Sequence, residues 1–315
     1  MSNERLVIGL DGGGTKTAAE FSNAGGVTLA TATGGPSNFQ VIGVEVAART
    51  ILDLVETCSH TVGCSVDRLD SVVAGLTGAG RPGDQARMKE GILAEAVRRR
   101  LPLTRVRVES DARIALEGAM GGKPGVIVIA GTGSIVFGKD ARGTVHRAGG
   151  WGRIIGDEGS GYALGRELFR AVAASMDGRS PRTILPALLK SSAGFGTQEA
   201  VITALYRENF DVASVAPLVT KAAERGDRVA RRILSDAAEE IVDVIAAVVR
   251  KVRGRTRQSV PVAFIGSVLS SPNPYSRRVR ALLRASLPGV IVRPPQAPPV
   301  HGAVLMALAD PSTKP

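Results

Sequence analysis

Twice in 315 residues a short apolar strand runs into a glycine turn and leaves it as a second strand. Residues 6–10 lead into Asp11-Gly12-Gly13-Gly14-Thr15-Lys16-Thr17, with residues 18–21 beyond, and residues 126–130 lead into Gly131-Thr132-Gly133-Ser134, with residues 135–139 beyond. The order that follows is shared. In the first unit come a third strand over 27–33, a helix over 44–62 with Val44, Ala47, Ala48, Ile51, Leu52 and Val55 at helical spacing, a strand over 70–76, a helix over 82–99 and a strand over 106–109. In the second come a third strand over 144–146, a helical insertion over about 161–253, then strand 262–265, helix 275–286 and strand 290–292. A proline-rich link, Arg293 to Pro299, stiffens the entry to a last helix ending at Leu308. Two units of one order predict a duplicated α/β fold of two domains, with a nucleotide in a central cleft.

The glycines give the turns their chemistry. Three in succession let backbone N–H groups approach phosphate oxygens, because no Cβ blocks the way. The same pattern also fits an ordinary hairpin that binds nothing. A P-loop is excluded: Thr15 separates Gly14 from Lys16, and strand rather than helix follows.

Composition removes other classes. Aromatic residues make up only 3% of the chain, so base stacking on aromatic platforms is not expected and the core must be Ala, Val, Leu and Ile. The net charge of +11 favours anionic ligands, but the arginines lie in runs such as Arg98-Arg99-Arg100 and no helix-turn-helix or finger pattern carries base readout. No nucleic-acid partner is expected. Without an apolar run of membrane-spanning length or a signal pattern, the chain reads as a soluble cytoplasmic protein with no membrane partner. Cys58 and Cys64 match neither a redox pair nor a zinc site and read as free thiols; His60, His146 and His301 are scattered singly.

Asp11-Gly-Gly-Gly-Thr15-Lys-Thr17, Asp111-Ala112, Gly131-Thr132-Gly133-Ser134, Gly149-Gly150-Trp151-Gly152, Gly156-Asp157-Glu158-Gly159-Ser160 and Gly266-Ser267-Val268 occur in an order and spacing that resemble the N-acetylglucosamine kinases. That group falls in the BadF/BadG/BcrA/BcrD-type ATPase family of the actin, sugar kinase and Hsp70 superfamily, and the resemblance covers nearly the whole chain. It implies two ribonuclease-H-like domains: residues 1–120, with a closing helix over 299–310 packing back on them, and residues 121–298, which include the insertion. The implied activity is ATP-dependent phosphorylation of the 6-hydroxyl of N-acetylglucosamine, with Mg2+ and a homodimeric state. Ile135 follows Ser134 where kinases of the N-acetyl form can carry a polar residue, so glucosamine or another amino sugar is an alternative substrate. An ATPase or sugar-responsive binding protein that phosphorylates nothing is an alternative of another class. The cluster-binding cysteines of the related dehydratase activators have no match here, nor has the zinc motif of another bacterial sugar-kinase group.

Asp111 follows a strand, where a carboxylate can take the proton of an attacking hydroxyl, and the resemblance makes it the catalytic base. The lesser alternative is that it caps the helix beginning at Ala112, and both roles could hold at once. Asp11 would hold Mg2+ through water. Gly13, Gly14, Thr15, Thr132 and Gly133 would bind phosphates; Lys16 would add charge there or stand in solvent. Gly266 and Ser267 resemble the adenosine-side turn, with Ser271 a further contact and Ala222 beside adenine. Asn38, Asp111, Ser134, Gly150, Trp151, Gly152 and Asp157 match the sugar-contacting positions. Trp151, the single tryptophan, reads as a sugar-loop residue or as a core anchor.

Overall fold

The computed structural model describes residues 5–255 and 258–309, which divide into two units: 5–123 with 295–309, and 124–294. Residue 310, the expected end of the closing helix, and residues 1–4 of the expected first domain lie outside the described residues.

In the first unit the strands are β1 (Leu6–Gly12), β2 (Thr17–Asn23), β3 (Thr28–Gly34), β4 (Ser71–Leu76) and β5 (Val106–Ser110). Helices α1 (Phe39–Ile42) and α2 (Val44–Val62) follow β3, α3 (Pro82–Arg98) joins β4 to β5, and α4 (Asp111–Met120) follows β5. The sheet order is β3-β2-β1-β4-β5. β1 to β3 form an antiparallel meander, and β4 and β5 run parallel to β1. Alternation along β1 decides what each face covers. Leu6, Ile8 and Leu10 share a core with Ile51, Leu52 and Val55 of α2, whereas Val7 points into a second cluster on the opposite face.

The second unit repeats this order with β6 (Gly125–Ala130), β7 (Ser134–Lys139), β8 (Val145–Gly149), β9 (Val260–Ile265) and β10 (Val290–Arg293), in the sheet β10-β9-β6-β7-β8. Matching each strand to the one five earlier reproduces the first sheet, including its two parallel pairs. Between β8 and β9 stand α5 (Gly161–Met176), α6 (Leu185–Ala193), α7 (Gln198–Tyr206), α8 (Ala216–Glu224) and α9 (Arg228–Arg253); α10 (Ser267–Ser270) and α11 (Pro274–Ser286) follow β9. The expected third strand, 144–146, runs on to Gly149. The last helix, α12 (Pro299–Leu308), belongs to the first unit, where Val304 and Met306 complete the cluster around Val7. Among the described residues no helix is long and apolar enough to cross a membrane.

Asp227 ties the insertion together. Its Oδ1 accepts from Ala230 N at 2.9 Å as the cap of α9, and its Oδ2 accepts from Ile184 N at 2.7 Å and Thr183 Oγ1 at 2.9 Å. Burial alone would push this carboxyl up, but the bonds from Ala230, Ile184 and Thr183 outweigh it and hold the group below its ordinary value. A folded value lower than the unfolded one means that the stabilisation is present above about pH 4 and is lost as pH falls through the folded value. Asp227→Ala should therefore cost about 1–2 kcal/mol at neutral pH. In urea denaturation the gap from the parent protein should close below about pH 4.

Candidate functional site

Parallel strands of one sheet end together, so residues just past their C-terminal ends become neighbours. In the first unit Gly12 is in register with Leu76, and Leu76 with Ser110. The next residues along are Gly13, Thr77 and Asp111. Thr77 N donates to Gly12 O at 2.9 Å, and Thr77 Oγ1 donates to Asp111 Oδ2 at 2.8 Å. The other oxygen, Oδ1, accepts from Ala112 N at 2.7 Å. The Asp111 carboxylate is thus held from both sides at the sheet edge. It is not the cap of α4: Ser110 performs that role, accepting from Arg113 N at 3.2 Å, and Asp111 is the first helical residue.

Burial first, and then the Asp111 charge, raise the Asp11 carboxyl above its ordinary value, with Lys16 opposing them. A buried carboxylate raised in this way, with a second carboxylate nearby, is a place where a cation is stabilising. Among the described residues no group of three or more His, Cys, Asp or Glu could cage a metal ion. A site of one or two carboxylates suits Mg2+, which keeps several waters and binds substrate phosphates.

The turn between β1 and β2 closes with Gly13 N donating to Lys16 O at 3.0 Å. Gly12 is required by packing, since a Cβ there would overlap Ser37 Oγ and Leu76. Gly14 is not: its Cβ would meet nothing within 4 Å, and its φ is not in the positive range. Neither packing nor conformation asks for glycine at that exposed tip, so a ligand could approach its backbone without meeting a Cβ. Ser37 N and Asn38 N donate to Gly13 O at 3.0 and 3.2 Å, fastening the Asn38 loop to this turn.

In the second unit the shorter turn Gly131-Thr132-Gly133 joins β6 to β7, with Gly131 N donating to Gly133 O at 2.9 Å. It is anchored to the start of α5, where Gly161 N donates to Gly131 O at 2.8 Å and Tyr162 N to Thr132 O at 3.0 Å. Beside it opens a cavity of about 390 Å³, lined by Thr132, Leu164, Asp211, Ala213, Ala216, Pro217, Thr220, Ser267, Val268 and Asn273 among others. Gly165 lets α5 lie against the 3-10 segment Val212–Val215 that forms one wall, for a Cβ there would overlap Val212 O. Gly266 (φ 92°), the residue before Ser267 of the lining, packs on Ala130. A cavity of this volume beside a glycine turn has room for a small-molecule ligand.

Asp157 is a buried non-glycine residue at φ 62°, and its Oδ1 accepts from Ser134 N at 3.3 Å. Ser134 Oγ donates to Glu158 O at 2.7 Å. A side chain in this unfavourable region, held under a buried serine, is the kind of strain that functional sites keep. The loop before it carries Gly149, Gly150 and Gly152, all at positive φ, and Ile135 packs beneath Gly150. Trp151 is 70% exposed, so it is not a core anchor.

Two expected residues fall elsewhere. Ala222 is fully buried in the core of the second unit, because it lies on the inward face of α8; Ala216, Pro217 and Thr220 of that helix line the cavity instead. Ser271, at the end of α10, is exposed and outside this lining, which includes Asn273. Sequence reasoning did not single out Thr77, which bonds Asp111, or Asn273, which lines the cavity. Thr77 was findable as the residue after a buried parallel strand next to β1, whereas Asn273, in Ser-Pro-Asn-Pro, reads as a plain helix cap.

A two-unit fold with a glycine turn after the first strand of each sheet is that of the sugar kinase and actin-like ATPases. Residues 8–307 match the BadF/BadG/BcrA/BcrD ATPase family, and the chain belongs to it. It is 32% identical over 309 residues to an N-acetylmuramic acid/N-acetylglucosamine kinase of Clostridium acetobutylicum, covering 97% of this chain and 99% of that one. It is 30% identical over 303 residues to the glucosamine kinase GspK of Vibrio cholerae serotype O1, covering 95% of each. A solved structure of a candidate N-acetylglucosamine kinase from Chromobacterium violaceum superposes with a TM-score of 0.68 at 29% identity, covering 98% of this chain and 100% of that one.

Proposed function

We propose that this protein is an ATP-dependent amino-sugar kinase that transfers the γ-phosphoryl group to the 6-hydroxyl of N-acetylglucosamine. The observation that carries the reading is the Asp111 carboxylate, oriented by Thr77 at a sheet edge beside Asp11 and an open glycine turn. Full-length similarity to kinases of N-acetylglucosamine and of glucosamine supports the substrate class.

Asp111 takes the proton of the hydroxyl as the bond from O6 to phosphorus forms and the bond from phosphorus to the β-phosphate oxygen breaks, with ADP leaving. Thr77 keeps the carboxylate aimed. Asp11 would hold Mg2+, and bound there the ion would neutralise charge on the phosphates. Gly13, Gly14, Thr15 and Lys16 of the first unit, and Thr132 and Gly133 of the second, bind phosphate oxygens. Positioning and charge stabilisation supply most of the acceleration in such reactions, so hydrogen-bond donors on the turns matter more than further acids or bases. Gly266 and Ser267 contact the nucleoside. Asn38, Ser134, Gly150, Trp151, Gly152 and Asp157 hold the sugar, with Asp157 accepting from its hydroxyls. The protein acts as a homodimer in the cytoplasm, and sedimentation equilibrium checks the first of these.

The test is ADP release with N-acetylglucosamine, glucosamine, N-acetylmuramic acid and glucose, together with mass and NMR analysis of the product. The expected result is a 6-phosphate, formed fastest from N-acetylglucosamine. A sugar that slows ATP turnover while no phosphosugar forms would overturn the reading.

A further inference from the structure

The loop from Gly150 to Glu158 runs from β8 toward α5, and two neighbouring residues of β7 hold its two ends. Ser134 holds the far end: its N donates to Asp157 Oδ1 at 3.3 Å and its Oγ to Glu158 O at 2.7 Å. Ile135 holds the near end. It pairs with Gly149 in the register of β7 and β8, and a Cβ at Gly150 would overlap its Cδ1 and stand 2.9 Å from its Cγ1. Gly150, at φ 68°, turns the chain over that side chain at the closest approach a backbone allows.

Between its ends the loop is bonded mainly to itself. Gly156 N donates to Gly152 O at 2.9 Å and Ile155 N to the same oxygen at 3.3 Å. Trp151, Ile154 and Ile155 are exposed and anchor nothing in the core. Arg147 Nη2 donates to Gly150 O at 3.3 Å, but from an exposed side chain that must be held in one rotamer. An isoleucine, stiff at χ1, is the firmer support. Where packing leaves no slack, removing part of the side chain lets the backbone above it settle.

We propose that Ile135 is a positioning residue of the sugar site, the spacer that sets the height of Gly150 and Trp151 relative to Ser134 and Asp157. The proposal rests on the reading of this loop as the one that holds the sugar. It gives Ile135 the role of a support under the loop in place of a contact with the N-acetyl group. A spacer of this kind acts on sugar in the ground state and in the transition state alike, so its loss raises KM and leaves kcat nearly unchanged.

Trp151 is the single tryptophan of the chain, so its emission reports on this loop without turnover. Titrating that emission with N-acetylglucosamine gives a dissociation constant, and steady-state rates give KM and kcat. Ile135→Ala is expected to raise the dissociation constant and KM roughly tenfold or more, with kcat and the ADP dissociation constant little changed. Ile135→Val, which loses only Cδ1, should lie between it and the parent. Gly150→Ala should weaken sugar binding by itself, and adding Ile135→Val, which removes the overlapped atom, should recover part of that loss. Additive losses in the double variant, or an Ile135→Ala protein that binds sugar as tightly as the parent, overturn the proposal. Should the alanine variant fail to fold, Ile135→Val and the double variant decide by the same criteria. Sugar bound, more weakly in Ile135→Ala, but never phosphorylated sinks the kinase reading and leaves this one standing. Sugar phosphorylated with a KM that Ile135→Ala does not move does the reverse.

Discussion

Asp111→Asn should lower kcat by about 10²–10⁴-fold, the usual contribution of a positioned general base. Asparagine preserves shape and can still accept from Thr77, but it cannot take a proton from the sugar hydroxyl. Nucleotide affinity should change little, because the proposed role of Asp111 is at the sugar hydroxyl and not among the groups that bind the phosphates or the nucleoside. Thr77→Val should act in the same direction with a smaller effect, roughly tenfold or more, since it removes the 2.8 Å bond that orients the carboxylate and leaves the carboxylate itself. The two are told apart by rescue: Thr77→Ser restores the hydroxyl and with it the rate, while no substitution near Asp111→Asn does. If Asp111→Asn keeps more than about a tenth of the parent rate with ADP affinity intact, Asp111 is not the base.

The parts of the fold that are local were readable. The strand at Leu6, the helices Val44–Val62 and Pro299–Leu308, and both glycine turns follow from apolar periodicity and turn residues, which act over a few neighbours. Repetition of the element order predicted two sheets of one topology, and they have it. The readings that failed needed information from outside the segment. Asp111 looked like a helix cap because Asp caps helices often, yet the chain had placed Ser110 one residue earlier, and only the backbone angles decide between adjacent candidates. Ala222 and Thr220 lie on one helix two residues apart, and which of them faces the cavity depends on how α8 is rotated against α5 and α9. Thr77 became visible through register, which links residues 65 positions apart in the chain through the pairing of β1 with β4. The Asn273 side chain illustrates the reverse case. Its sequence context reads as a helix cap, its bonds confirm that role for α11, and only the packing of that helix shows that it also lines a cavity.

Gly302→Ala should destabilise the first unit by about 3 kcal/mol, at the upper end of what overpacking usually costs. α12 and α4 touch backbone to backbone. A Cβ at Gly302 would overlap Ile114 O and stand 2.5 Å from Gly118 N, and a Cβ at Gly118 would stand 2.5 Å from Pro298 O. Neighbours that are backbone cannot rotate away as a side-chain tip can, so the two helices must separate. The segment entering α12 is fixed on the same helix, with Gln296 N donating to Ala119 O and Ala297 N to Gly118 O, both at 3.1 Å. Under α12 lies β1, where Gly9 would place a Cβ 2.5 Å from Val304 N, so the helix cannot yield toward the sheet either. Displacement therefore falls on α4, whose first residue is Asp111. A shift of about 1 Å in a reacting group can cost about a hundredfold in rate, so the folded fraction of the variant should lose activity through kcat, with the ADP dissociation constant unmoved. Gly25→Ala is the matched control, for its Cβ meets nothing closer than 3.5 Å and should change stability by less than about 0.5 kcal/mol. Calorimetry and steady-state rates on the three proteins decide the matter: a Gly302→Ala protein as stable and as fast as Gly25→Ala would mean that α12 does not hold the helix that carries Asp111.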